Sequence, residues 1–186
     1  MATWPEPVER VSSFLREAGA EARIEEFAQG TPTAADAAAA AGCELAQIVK
    51  SVVLVCDGEP VVALVPGDRR GDPAKVSRAV GAQKARIASA EEVEKATGFA
   101  PGGVAPFPLT SVQSVLLDRT LLRHPVVWAG AGSPRHMVGL APAELGRLAR
   151  ARPVDVVQDR PYDSPGEREP DSAADSTGGS DDSKER

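Results

Sequence analysis

Apolar positions along this chain alternate between helical and extended spacing. Val8, Val11, Leu15 and Ala18 recur three or four residues apart and predict a first helix. Ala22 to Phe27 reads as a short strand. Thr33 then caps an alanine-rich helix that ends near Gly42, and Glu44 to Val49 reads as a further helical turn. Ser51–Cys56 and Val61–Val65 are β-branched runs separated by Asp57-Gly58-Glu59-Pro60, and Asp-Gly is a hairpin signal. Asp72-Pro73 starts a helix that Gly81 ends. After a short strand at Ala85–Ala88, Ser89-Ala90-Glu91-Glu92 forms a capping box for a helix that stops at Gly98. Ser114–Leu117, Val126–Trp128 and His136–Leu140 read as strands, and Pro142 to Arg150 as a closing helix. Strand pairs mixed with helices at irregular spacing predict an α+β domain rather than a repeating βαβ sheet.

One residue breaks this pattern. In Gln47-Ile48-Val49-Lys50-Ser51-Val52-Val53-Leu54-Val55 a lysine stands inside an apolar, β-branched run. An ammonium without a partner is costly to bury. Lys50 therefore either sits at a helix-to-strand junction with its head in water, or points into a cleft and holds an anion.

Two glycine-bearing segments offer walls for such a cleft. Gly98-Phe99-Ala100-Pro101-Gly102-Gly103-Val104-Ala105-Pro106-Phe107 is a tight turn, or a loop whose exposed N–H groups cradle a carbonyl or oxyanion. Ala129-Gly130-Ala131-Gly132-Ser133-Pro134-Arg135-His136 is a hairpin loop, or a second wall presenting Ser133 and His136. Asp118 in Leu116-Leu117-Asp118-Arg119 reads locally as the cap of a following turn.

Composition narrows the choices. The chain has 186 residues, 42% apolar and 26% charged, which suits one globular body with extras. No apolar run is long enough to span a membrane, and Met1 to Pro7 lacks the pattern of a secretory signal. Of the net charge of −6, residues 159–186 hold −5 and the preceding body −1. A nearly neutral body is not the footprint of a protein that tracks long nucleic acid, so no DNA partner is expected. Residues 159–186 are acidic and poor in apolar residues, and are expected to be a disordered tail on a domain spanning 1–158. Cys43 and Cys56 have neither redox nor zinc spacing, and with only His124 and His136 besides, no metal site is expected. The cytoplasm is the default compartment. Glycine-x-serine-x-glycine elbows, Walker loops and His-Glu-x-x-His sequences are absent.

The order and spacing of Thr33-Ala34-Ala35-Asp36, Gln47-Ile48-Val49-Lys50-Ser51, Gly102-Gly103-Val104-Ala105-Pro106 and Gly132-Ser133 resemble the YbaK/ProX-type aminoacyl-tRNA deacylases. These in turn resemble the editing domain of bacterial prolyl-tRNA synthetases. The resemblance covers about residues 8–158. It implies a mixed, curved β-sheet with a barrel-like core and helices around it. It implies hydrolysis of the ester between a wrong amino acid, alanine or cysteine, and tRNA(Pro), without a cofactor. The implied partners are the 3′ end of aminoacyl-tRNA and prolyl-tRNA synthetase. Lys50 matches the family's essential lysine, and Gly102, Gly103, Val104, Ala105 and Pro106 match the loop that holds the aminoacyl carbonyl. Ser51 stands where many members have threonine. Asp118, Gly132 and Ser133 fall near matching polar or loop positions, and His136 lies in a segment that differs among members. Two other readings remain open on the residues: a non-catalytic module that binds an amino acid or a tRNA end, and a hydrolase of another small ester or amide.

Overall fold

The computed structural model describes residues 4–160. Five helices flank one eight-stranded mixed sheet, the α+β architecture expected. The helices are α1 (Glu6–Glu17), α2 (Ala34–Ala41), α3 (Pro73–Val80), α4 (Ala90–Thr97) and α5 (Pro142–Ala149). The strands are β1 (Arg23–Glu26), β2 (Ile48–Cys56), β3 (Glu59–Pro66), β4 (Ala85–Ile87), β5 (Ser114–Asp118), β6 (Val127–Ser133), β7 (His136–Leu140) and β8 (Arg152–Val154). They lie in the order β1-β7-β6-β2-β3-β5-β8, and β4 also pairs with β2. The expected acidic tail lies, beyond Arg160, outside the described residues.

The helix boundaries follow from capping chemistry legible in the chain. Thr33 and Asp36 bond reciprocally at the start of α2, as do Ser89 and Glu92 at the start of α4. The Asp72 carboxylate accepts the N–H groups of Ala74 and Lys75 at the start of α3. Gly42, Gly81 and Gly98 end these helices in the left-handed conformation.

The β2–β3 hairpin is the sheet's spine, in register from Val49↔Pro66 to Cys56↔Glu59. Its turn is tighter than the four residues expected, because Asp57 and Gly58 alone make it, with φ of 49° and 90°. Both faces of β3 are covered, so it reads as an unbroken apolar run. Val62 and Leu64 enter the main core, together with Val11 and Leu15 of α1, Leu117 of β5, Ala129 of β6, Val138 of β7 and Leu145 of α5. Val61, Ala63 and Val65 face a second cluster with Val76 of α3, Leu116, Val156 and Val157.

Three segments depart from the sequence reading. The turn expected over Glu44 to Val49 is a 3-10 turn at Leu45–Gln47, and β2 already begins at Ile48. Lys50 is thus inside a strand rather than at a helix-to-strand junction. β6 runs on to Ser133, through a stretch that reads as loop because of Gly130 and Gly132. The backbone there needs glycine: a Cβ at Gly132 would lie 2.6 Å from the Pro7 carbonyl oxygen, and its φ is +97°. β8 was not foreseen, since a three-residue strand with Pro153 at its centre carries almost no β signal.

Asp118 acts as the structural cap that its local sequence suggests, rather than as a ligand in the Lys50 cleft. It is fully buried at the end of β5. One carboxylate oxygen accepts the N–H and hydroxyl of Thr120, at 3.0 and 2.5 Å. The other accepts the Val156 N–H at 3.1 Å. Truncation strands these buried donors, at about 1–3 kcal/mol for each one left unpaired. Asp118→Ala is therefore expected to lower the urea-unfolding free energy by about 2–4 kcal/mol, read from the denaturation midpoint at constant slope.

Candidate functional site

The site arises where β2 changes partners. On the edge opposite β3, β2 pairs in parallel with β6 at Ile48↔Trp128 and Val49↔Ala129. Further along that edge it pairs with β4 from Leu54 to Cys56. Between these two pairings lies the stretch from Lys50 to Val52. A cavity of about 250 Å³ adjoins this stretch. Lys50, Ser51, Gly102, Val104, Ser133 and His136 line it, joined by Thr31, Thr33, Gly130 and Met137. The structure thereby brings together six of the residues singled out in the sequence.

Lys50 is partly buried. Its Nζ donates a 2.5 Å hydrogen bond to the carbonyl oxygen of Arg69, in the loop after β3. Burial pushes its pKa below the ordinary lysine value and the Arg70 charge adds to this, while Asp68 opposes. The loop is held close to β2: Gly67 N–H bonds the Ile48 carbonyl at 2.8 Å, and a Cβ at Gly67 would lie 2.5 Å from the Leu45 carbonyl oxygen.

The glycine loop from Phe99 to Phe107 closes another wall. Its ends are anchored in the main core by two buried phenylalanines, Phe99 and Phe107, with Ala105 buried between them. Arg10 of α1 pins the loop's start, with its guanidinium 4.3 Å from the Phe99 ring centroid and a 2.6 Å bond to the Gly98 carbonyl. Loop and β6 meet backbone to backbone: a Cβ at Gly103 would lie 3.0 Å from Ser133 Cα, and one at Gly130 3.0 Å from the Val104 oxygen. The Gly103 N–H is taken by the Ala100 carbonyl at 3.0 Å, so it is not free for an oxyanion. Among the described residues the N–H groups of Val104 and Ala105 have no such acceptor. Pro106 faces away, onto a separate cavity of about 730 Å³ lined by Phe14, Phe107 and Leu148. Gly132 supports the wall from behind, where it packs on α1.

His136 and Ser133 form the third wall. His136 opens β7 and is 3% exposed. Its Nδ1 lies 2.6 Å from the Ser133 hydroxyl, which also accepts the Arg135 N–H at 3.1 Å. The His136 Nε2 and the Ser51 Oγ are both buried and have no hydrogen-bond partner among the described residues. Burial pushes the His136 pKa down, with Arg135 adding to this and Glu26 opposing, so the ring is neutral at pH 7.

The residues missed in the sequence are those brought in from a distance. Thr31 reaches the cavity because its N–H and hydroxyl both bond the Pro134 carbonyl, at 2.8 and 3.0 Å. Arg69 contributes through its carbonyl, which leaves no trace in residue type. Gly130 lay in a segment already noted and could have been found by asking which glycine a neighbouring loop approaches. No group of His, Cys, Asp and Glu suited to a metal ion exists among the described residues.

The family described as "Aminoacyl-tRNA editing domain" matches residues 28–148, and the chain belongs to it. An uncharacterized protein YwhH of Bacillus subtilis is 35% identical over 138 residues, covering 73% of this chain and 87% of its own. A proline--tRNA ligase of Nitratidesulfovibrio vulgaris is 37% identical over 92 residues, which are 50% of this chain but 16% of the ligase. A crystal structure provisionally described as a trans-editing enzyme for prolyl tRNA synthetase superposes with a TM-score of 0.78 and 38% identity, covering 84% of this chain and 99% of that one. The family segment leaves out α1 and everything after residue 148.

Because His136 is neutral when folded and ordinary when unfolded, unfolding below pH 6.5 takes up a proton. Its contribution to stability is complete above about pH 6.5 and is lost as pH falls towards the lowered folded value. Urea-unfolding midpoints of the wild type are expected to fall between pH 7 and pH 5 more steeply than those of His136→Gln. Equal slopes would show that His136 is not held neutral.

Proposed function

We propose that this protein is a hydrolase that deacylates mischarged aminoacyl-tRNA in trans, removing alanine or cysteine from tRNA(Pro) in the cytoplasm. Its substrate is the 3′ end of the aminoacyl-tRNA, which prolyl-tRNA synthetase would supply. The carrying observation is that Ser51 and His136, whose Oγ and Nε2 are buried and without hydrogen-bond partners among the described residues, line the same small cavity as Lys50 and the glycine loop. Buried polar groups in native folds are hydrogen-bonded, so such atoms call for a polar ligand. Membership of the editing-domain family supplies that ligand's chemistry: an amino acid esterified to a ribose hydroxyl.

An aminoacyl ester is already activated, so no protein nucleophile is required. The neighbouring ribose 2′-hydroxyl orients a water. That water attacks the carbonyl carbon, the ester C–O bond breaks, and the proton the water gives up passes to the departing ribose oxygen, leaving a free amino acid and a ribose hydroxyl. The Val104 N–H, on the loop residue that lines the cavity, faces the developing oxyanion. Lys50 sets its charge against the phosphate of the terminal nucleotide. Ser51 and His136 hydrogen-bond the substrate's polar groups and hold the ester in register. The narrow cavity admits a small side chain and rejects proline by shape. This reading involves no metal or cofactor.

The test is deacylation of alanyl- and cysteinyl-tRNA(Pro) by the purified protein, with prolyl-tRNA as control. Loss of one wrong amino acid with the prolyl ester spared is expected. Lys50→Ala is expected to slow that loss by about 10²–10³-fold, the scale of one electrostatic contact to the transition state. Binding of aminoacyl-tRNA that protects the ester would mark a binding module instead. Hydrolysis of small esters unaffected by uncharged tRNA would mark a different esterase.

A further inference from the structure

Lys50 does not choose its own position. Its Nζ is held by the Arg69 carbonyl, and the loop carrying that carbonyl is fixed from the far side by the chain's last described segment. Gly71 and Val157 form an antiparallel bridge. Asp72 N–H bonds the Val156 carbonyl at 2.8 Å, and Gln158 N–H bonds the Arg70 carbonyl at 2.9 Å. Residues 155–159 thus act as a strap across the loop that presents Arg69 and Arg70 to Lys50. The strap lies outside the segment shared with the editing-domain family.

The strap is itself clasped by one side chain. Lys75, one turn into α3, donates to the Val157 carbonyl at 2.8 Å, to Asp155 at 3.0 Å and to Asp159 at 2.7 Å. All three ammonium protons are thereby engaged. The lysine side chain is 16% exposed, while the Asp155 and Asp159 side chains are 51% and 91% exposed. A surface ion pair contributes little by itself. This lysine instead gathers three groups of the strap onto a helix whose start is fixed by the Asp72 cap, and Asp72 also belongs to the bridged loop. Loop, helix and strap form one closed unit with Lys75 at its centre.

We infer that Lys75 is a positioning residue for Lys50, acting through the 155–159 strap and the Asp68–Asp72 loop. The inference rests on the editing reading only for the consequence on rate. Displacing the loop would withdraw the Arg69 carbonyl, admit water to the Lys50 head and remove the Arg70 charge, while also withdrawing the opposing Asp68.

The experiment compares the full chain with Lys75→Met, Lys75→Arg and the double variant Asp155→Asn/Asp159→Asn. Two readouts are taken: deacylation of the mischarged tRNA, and the NMR titration of the Lys50 ε-methylene, assigned with Lys50→Arg. Lys75→Met is expected to lower kcat/KM by about 10–10²-fold, the scale of a small misplacement of a reacting group. In the same variant the Lys50 titration moves up towards that of an ordinary lysine. Lys75→Arg recovers most of both effects. The double variant, altered only at two exposed carboxylates, shifts both in the same direction by less, and carries the test if Lys75→Met does not fold. Wild-type rate and an unmoved Lys50 titration in a folded variant would overturn the inference, even if its melting temperature fell. If no protein, wild type included, deacylates any tRNA, the editing reading fails while the Lys50 titration still decides the positioning role.

Discussion

The structure depends on one strand serving three partners. β2 pairs with β3 along almost its whole length, which fixes its register and buries Val49 and Val53 on one side and Leu54 and Cys56 on the other. Its second edge is divided between β6 and β4. The stretch between these two pairings holds Lys50 and Ser51 and faces a cavity. The cleft is therefore a product of topology, set between the two pairings of one edge. The side chains that line it are carried by rigid strands and by a loop tied down at both ends by buried phenylalanines. That support holds the lining residues in fixed relative positions.

Much of this was legible in the chain, for reasons that differ by residue. Lys50 stood out because a charge in a β-branched run violates its own local pattern, and such violations concentrate at functional sites. The α2, α3 and α4 boundaries were legible because capping chemistry is local in sequence. β6 was cut short because glycines argue against a strand unless one knows that another backbone approaches them. The demand for Gly130 and Gly132 comes from Val104 and Pro7, both distant in sequence. β8 and the strap were not legible at all. Their order derives from Asp118, Lys75 and Asp72, none of which signals locally what it will hold. Asp118 carries the cap that its local sequence suggests, with its carboxylate taken by Thr120 and Val156 and its position outside the lining of the Lys50 cavity.

The chemistry of the cavity fits its architecture. A nucleophile would need an adjacent base and an exposed, activated atom. Neither cysteine offers that, since Cys56 is buried in the second cluster and burial pushes both thiols up. What the cleft offers is a neutral histidine held by Ser133, a hydroxyl at Ser51 unpartnered among the described residues, and a lysine between the two pairings of β2. Hydrogen-bond donors of fixed direction and one cation suit an ester that carries its own activated carbonyl and its own phosphate.

The elements outside the shared family segment explain how such a cleft keeps its geometry. α1 presses on the Gly132 bulge and, through Arg10, on the start of the glycine loop. The strap presses from the other side on the loop that holds Lys50. The glycine loop and the Asp68–Asp72 loop are irregular backbone, the conformation least able to hold its own shape. The first is braced by α1 and the second by residues 155–159, so the shape of each loop is set by contacts with a segment distant in sequence.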